Sequence, residues 1–131
     1  MLSWGADWRA VSSANANGTV FSVDIDSIVE RDNLISAWTM ESRKSPKSVK
    51  LQGKRFKYMS YKALRYFNCD SGRSAIAQGI FYSRGSGAGD VLHSFSDEPT
   101  EKLFSAVVPS TMGEAMYEFV CDRLYRPKVQ T

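Results

Sequence analysis

The chain is poor in metal-binding chemistry: it has two cysteines, Cys69 and Cys121, one histidine, His93, and no Cys-x-x-Cys spacing. A closed zinc cage needs four such ligands, so no metal site is expected, and no cofactor-binding pattern takes its place. No apolar run reaches the roughly 18 residues of a membrane-spanning helix. The acids are scattered, with no pair spaced for general acid/base work and no calcium loop. No internal repeat is visible. The opening segment, Met1-Leu2-Ser3-Trp4-Gly5-Ala6-Asp7, has neither the basic start nor the apolar stretch of a secretory signal. A cytoplasmic chain and an exported domain stripped of its leader share that pattern, so the compartment has to be argued from the cysteines.

What is present suits one folded domain. The 131 residues are 43% hydrophobic and 24% charged, ordinary values for a globular chain with a single core. Residues 1–131 read as one unit, with a core from about 7 to 125.

Period-two alternation dominates the first two thirds. Thr19 to Ile25 puts Phe21, Val23 and Ile25 on one face and Ser22 and Asp24 on the other. The turn signal Asn15-Ala16-Asn17-Gly18 precedes it, with Asp7 to Ser13 as the partner strand of a hairpin. Asp24 to Ile28 reads as a turn or 3₁₀ corner, and Leu34 to Met40 as a strand aligning Leu34, Trp38 and Met40. The polar stretch Glu41 to Lys54 reads as an exposed loop or mobile hairpin tip. A long strand follows, about Phe56 to Cys69, apolar enough on both faces to be central or bulged. Ser74 to Ser83 has a small-residue face, Ala75, Ala77 and Gly79, that would let a helix approach. Arg84 to Asp90 reads as a flexible turn, Val91 to Phe95 as a strand, and Leu103 to Val108 as a last short one.

The period then changes. Thr111 and Glu114 form a capping box, and Met112, Ala115, Met116, Phe119, Val120 and Leu124 recur at helical spacing up to Arg126-Pro127. Strands first and one helix last give an α+β domain: a mostly antiparallel sheet of about six strands with a C-terminal amphipathic helix on one face. Two free thiols or one disulfide are open to Cys69 and Cys121. Cys69 lies on the apolar face of the long strand and Cys121 on the edge of the helix stripe. Packing the helix on that face brings the sulfurs together and favours the disulfide.

No catalytic residue is assigned. His93 alternates with Val91 and Phe95 and reads as a satisfied structural histidine, and no serine sits in a nucleophile elbow. Gly85-Ser86-Gly87-Ala88-Gly89 lacks the helix and Lys-hydroxyl pair of a phosphate-cradling loop, so it reads as a turn between strands.

The most suggestive feature is charge. Arg43, Lys44, Lys47, Lys50, Lys54, Arg55, Lys57, Lys62 and Arg65 are nine of the 17 basic residues, and no acid occurs between Glu41 and Asp70. The net charge of +3 hides this local field. Arg43, Lys44, Lys47, Lys50, Lys54, Arg55 and Lys57 are the candidate ligand-binding residues, for a protein or a polyanion such as a sulfated glycan, an envelope polymer or nucleic acid. The plainer reading is a solvated segment whose lysines guard a sheet edge against aggregation.

Several motifs occur in a familiar order: Trp8-Arg9-Ala10-Val11, then Phe21-Ser22-Val23-Asp24-Ile25-Asp26-Ser27-Ile28, then a strand carrying Trp38. After them come Lys62 to Cys69, Tyr82, Pro109-Ser110-Thr111 and Val120-Cys121. This order, over roughly Trp8 to Cys121, resembles the surface-adhesin protein E family of Gram-negative bacteria. The resemblance implies an antiparallel sheet with its helix held by a Cys69–Cys121 bridge. It also implies export to the periplasm, outer membrane or cell surface, and an adhesin-like, non-catalytic role in contact with host or envelope proteins, with dimerisation as a further expectation. The matching residues are structural ones, so fold and disulfide transfer by position. The competing reading is an intracellular nucleic-acid-binding domain that uses the basic 43–65 segment.

Overall fold

The computed structural model describes residues 6–11 and 18–122. Strand β1 (Trp8–Ala10) pairs antiparallel with β2 (Val20–Asp24), Arg9 opposite Val23. Ser12, Ser13 and the turn residues Asn15 to Asn17 lie outside the described residues, as do Leu124 and Arg126-Pro127.

The expected corner is a 3₁₀ turn, Ile25–Ser27, and its side chains explain its sequence. The Asp24 carboxylate accepts from the amides of Asp26 (3.1 Å) and Asp7 (2.9 Å). The Ser27 hydroxyl donates to the Asp24 carbonyl (2.7 Å) and accepts from the Trp38 amide (2.9 Å). This corner lets β3 (Val29–Arg31) continue beside β2 along one edge of β4 (Leu34–Leu51), whose other edge pairs with β5 (Lys54–Asn68).

Strands β4 and β5 form one long hairpin: of the two readings of Glu41 to Lys54, the exposed loop gives way to paired strand, and a hairpin tip is found at Gln52-Gly53. Their ladder resumes at Lys47↔Tyr58 after an irregularity beyond Ser42 and runs to Leu51↔Lys54. Gln52 and Gly53 close it with φ of 50° and 78°, the two positive values that a two-residue hairpin loop of matching twist needs. The sheet continues through β6 (Arg73–Tyr82) and β7 (Val91–Ser96) in the order β1-β2-β4-β5-β6-β7. The short β3 and β8 (Ser105–Ala106) are added on β4 and β6. Strand β5 is central, as expected, and its register with β6 shifts between Leu64 and Arg65.

Helix α1 (Met112–Cys121) seals one face of this sheet. Met116 and Val120 pack with Val23, Ile28, Ile35, Ala37 and Phe67, all at least 95% buried. Each large apolar side chain so buried contributes about 1.5–3 kcal/mol. On β4, therefore, Ile35 and Ala37 face the helix. The expected Leu34-Trp38-Met40 alignment belongs to the opposite face. The Thr111 hydroxyl caps the helix by accepting from the Glu114 amide (3.2 Å), while Glu114 reaches past the cap residue to the Ser110 amide (2.8 Å).

The far end of the helix is tied to the end of β5. Cys69 and Cys121 form the disulfide, their Cα atoms 5.7 Å apart, and the Tyr117 hydroxyl donates to the carbonyls of Cys69 (2.8 Å) and Asn68 (3.1 Å). The small face of β6 has a different tenant from the one expected. A Cβ at Gly79 would overlap the Phe95 ring and come within 2.9 Å of Tyr61, so glycine makes room for aromatics there, while α1 lies over β2, β4 and β5. Val91, which alternates with His93 and Phe95 on β7, is 58% exposed.

Candidate functional site

Along the outer part of the β4–β5 hairpin, alternation sorts the side chains into two faces. Ser48 pairs with Lys57 and Lys50 with Arg55, which puts Lys50, Arg55 and Lys57 on one face. Val49 pairs with Phe56 and Leu51 with Lys54 on the other.

The apolar face turns inward. Phe56 meets Phe81 edge-on at 5.1 Å and stacks on His93 at 5.5 Å. Tyr58 packs edge-on against Phe81 at 5.0 Å, and Phe81 stacks on Tyr61 at 4.2 Å. The Lys54 ammonium donates to the Leu92 carbonyl on β7 at 2.6 Å. The arm is thus bent over β6 and β7 by an aromatic cluster, and its other face is left to solvent. The turn Gly85–Gly87 props the bend from below: the amide of Ser86 donates to the Ser42 hydroxyl (3.0 Å) and that of Gly87 to the Ser60 hydroxyl (2.9 Å). The expected flexible turn is therefore tied to both strands, and these two amides are committed to serines, not aimed at a phosphate.

Glu41 sits at the root of the arm. Its carboxylate accepts from the Tyr58 hydroxyl (3.0 Å to either oxygen) and from Arg43 Nη1 (2.9 Å). Burial, and then the Glu41 charge, hold the Tyr58 phenol well above its ordinary ionisation range. Burial also raises Tyr61. Arg65 has its pKa lowered by burial and donates Nε to the Thr39 hydroxyl at 3.1 Å.

The seven basic candidates therefore divide. Arg43 is turned in, paired with Glu41 and bonded to the Ser45 carbonyl, its side chain only 16% exposed. Lys54 anchors the arm. Lys44 is exposed near the root, with its stem beside Gly18. Lys47, Lys50, Arg55 and Lys57 are exposed along the arm, and Lys50, Arg55 and Lys57 share its outward face. The sequence reading missed the aromatic clamp, although Phe56 and Tyr58 alternating with Arg55 and Lys57 carried the signal.

The His93 ring stacks on Phe56, and the expected satisfied histidine is corrected: its Nε2 is buried with no hydrogen-bond partner among the described residues. No group of three or more His, Cys, Asp or Glu residues that could hold a metal occurs among the described residues. Among the same residues no helix is long and apolar enough to cross a membrane.

Comparison with known proteins fits this architecture. The family model described as surface-adhesin protein E matches residues 8–122. A structure of Haemophilus influenzae protein E superposes with a TM-score of 0.60 at 16% identity, covering 98% of this chain and 92% of that one. Its crystal form II gives a TM-score of 0.59 at 17% identity, covering 91% and 90%. No curated protein sequence matches. The superpositions speak for the fold and the family model for descent: the chain belongs to the surface-adhesin protein E family.

Proposed function

We propose that this protein is a non-catalytic binding module of the bacterial cell envelope, periplasmic or on the outer-membrane surface. In this reading the outward face of the β4–β5 arm grips an acidic protein surface or a polyanionic polymer. One observation carries it: Lys50 stands directly opposite Arg55, with Lys57 diagonal to Lys50 and two residues along the same strand from Arg55. Like charges facing across a ladder destabilise it by up to about 1 kcal/mol, and no acid within Ser42–Cys69 relieves them. An anionic partner would turn that repulsion into attraction. Family membership supports adhesion without turnover, and the disulfide suits an oxidising compartment. The nucleic-acid reading loses its stacking platform, because Tyr58 and Tyr61 are spent in the clamp beside Phe81.

The test uses heparin as the polyanionic probe. Binding should weaken steadily as salt is raised, and K50Q/R55Q/K57Q should weaken it roughly tenfold or more at low salt. Substituting Lys102, which lies outside the arm, should leave it unchanged. Affinity indifferent to salt, or a triple variant that binds as well as the parent, overturns the proposal.

A further inference from the structure

At the end of β4 and β5 remote from the basic arm, about 50 Å of strand away, lies a cavity of about 300 Å3. Three turns build it. The β3–β4 turn brings Asp32 and Asn33, the β5–β6 turn brings Asn68 and leads to Arg73, and the segment between β7 and β8 brings Glu101 and Phe104. Its volume is at the lower end for ligand pockets and suits one small ring.

The lining mixes donors and acceptors. Asp32 and Glu101 are acceptors only, the Arg73 guanidinium is a donor only, and the asparagine amides are both. Several of these groups have spare capacity. Asn68 Oδ1 is occupied by the amides of Asp70 (3.1 Å) and Ser71 (3.2 Å), which leaves its NH2 as the part to offer. Arg73 Nη2 donates to the Phe104 carbonyl at 2.7 Å, and Nη1 lies 4.0 Å from Glu101. Arg73 Nε is buried and has no acceptor among the described residues. That nitrogen is closed off from the cavity, so the donor a ligand can reach is Nη1, on a side chain 41% exposed and no nearer than 4.0 Å to Glu101.

The charge of the lining narrows the class. An anion would face two carboxylates against one guanidinium, and a cation would bring no acceptor for Arg73 Nη1. A neutral polyhydroxy ring answers both demands, because each hydroxyl donates and accepts, and Phe104 offers an apolar patch for its C–H face. We propose that this cavity is a subsite for one neutral sugar residue, distinct from the polyanion-binding arm and able to stand or fall without it.

The experiment is an amide-shift NMR titration of the full chain with methyl β-D-galactoside, methyl α-D-mannoside and N-acetylglucosamine, with N-acetylneuraminic acid as the anionic comparison. At least one neutral saccharide should give saturable shifts confined to residues 32–34, 68–73 and 99–104. Asp32 has φ of 51°, which glycine adopts freely, so Asp32→Gly removes the carboxylate without straining the turn. Asp32→Gly and Arg73→Lys should each weaken binding about tenfold while the rest of the spectrum stays native. Three results overturn the proposal: no saturable shift with any neutral saccharide at tens of millimolar, a response to N-acetylneuraminic acid alone, or binding that both variants leave intact.

Discussion

Replacing both Cys69 and Cys121 with serine removes a covalent closure across 52 positions of sequence. In the chain-entropy account, the freed unfolded chain gains about 4 kcal/mol of conformational freedom at 25 °C, and that stability leaves the native state. Unfolding entropy of ~2.1 cal/mol/K per residue over 131 residues is roughly 0.28 kcal/mol/K, so the midpoint should fall by about 15 °C. The fold itself should persist, because Met116 and Val120 remain buried and Tyr117 still bonds to the carbonyls at the end of β5. What should change locally is helix docking, with amide exchange across α1 accelerating more than exchange in β4 and β5. The assay is thermal and urea unfolding of parent and Cys69→Ser/Cys121→Ser chains without reductant, followed by circular dichroism. A loss below about 1 kcal/mol would refute the entropic reasoning. Collapse of the β-sheet signal would refute the claim that the apolar seam holds the helix unaided.

Gly79→Ala should cost about 1–3 kcal/mol, because the new methyl overlaps Phe95 and crowds Tyr61; an unchanged melting temperature would show that the rings yield freely. Tyr58 keeps its proton in the folded state to higher pH than in the unfolded chain, so the unfolded state ionises first. Stability should therefore fall as pH rises above about 10, and Tyr58→Phe should flatten the fall, with Tyr61 leaving a remnant slope; melting curves from neutral to alkaline pH check this. Thr111→Ala removes the helix cap and should cost about 1 kcal/mol, read by urea unfolding and by faster exchange of the Glu114 amide.

Much of the fold is legible in the residues because alternation and helical spacing are local. Val23 and Ile25, the Asp24–Ser27 corner and the Thr111–Glu114 cap all follow from near neighbours. The pairing of Cys69 with Cys121 follows from two such patterns meeting. The arm was harder to see because its lysines mask the apolar residues between them: Val49 and Leu51 alternate correctly with their partners Phe56 and Lys54, but against a background so charged that 41–54 reads as a loop or hairpin tip, and only Phe56 and Tyr58 fall in the expected strand. Its bend depends on Phe81 and His93, which arrive from another hairpin and have no local signature. The tenant of the β6 small face was misassigned for the same reason. Glycine announces that something comes close, and only tertiary packing says that Phe95 does so and the helix does not. The sugar-sized cavity gathers three turns distant in sequence, and no spacing rule links them.

The bridge at the end of β5 also decides how the protein would bear a pull. Tension applied between β1 and the last helical turn runs along the backbone to Cys69, crosses the sulfurs to Cys121 and leaves. The 51 residues between them, which include β6, β7, β8 and nearly all of α1, are bypassed by that line of force. For an adhesin, flow would load the first five strands, while the remainder stays mechanically slack behind a covalent shunt that no hydrogen bond has to defend.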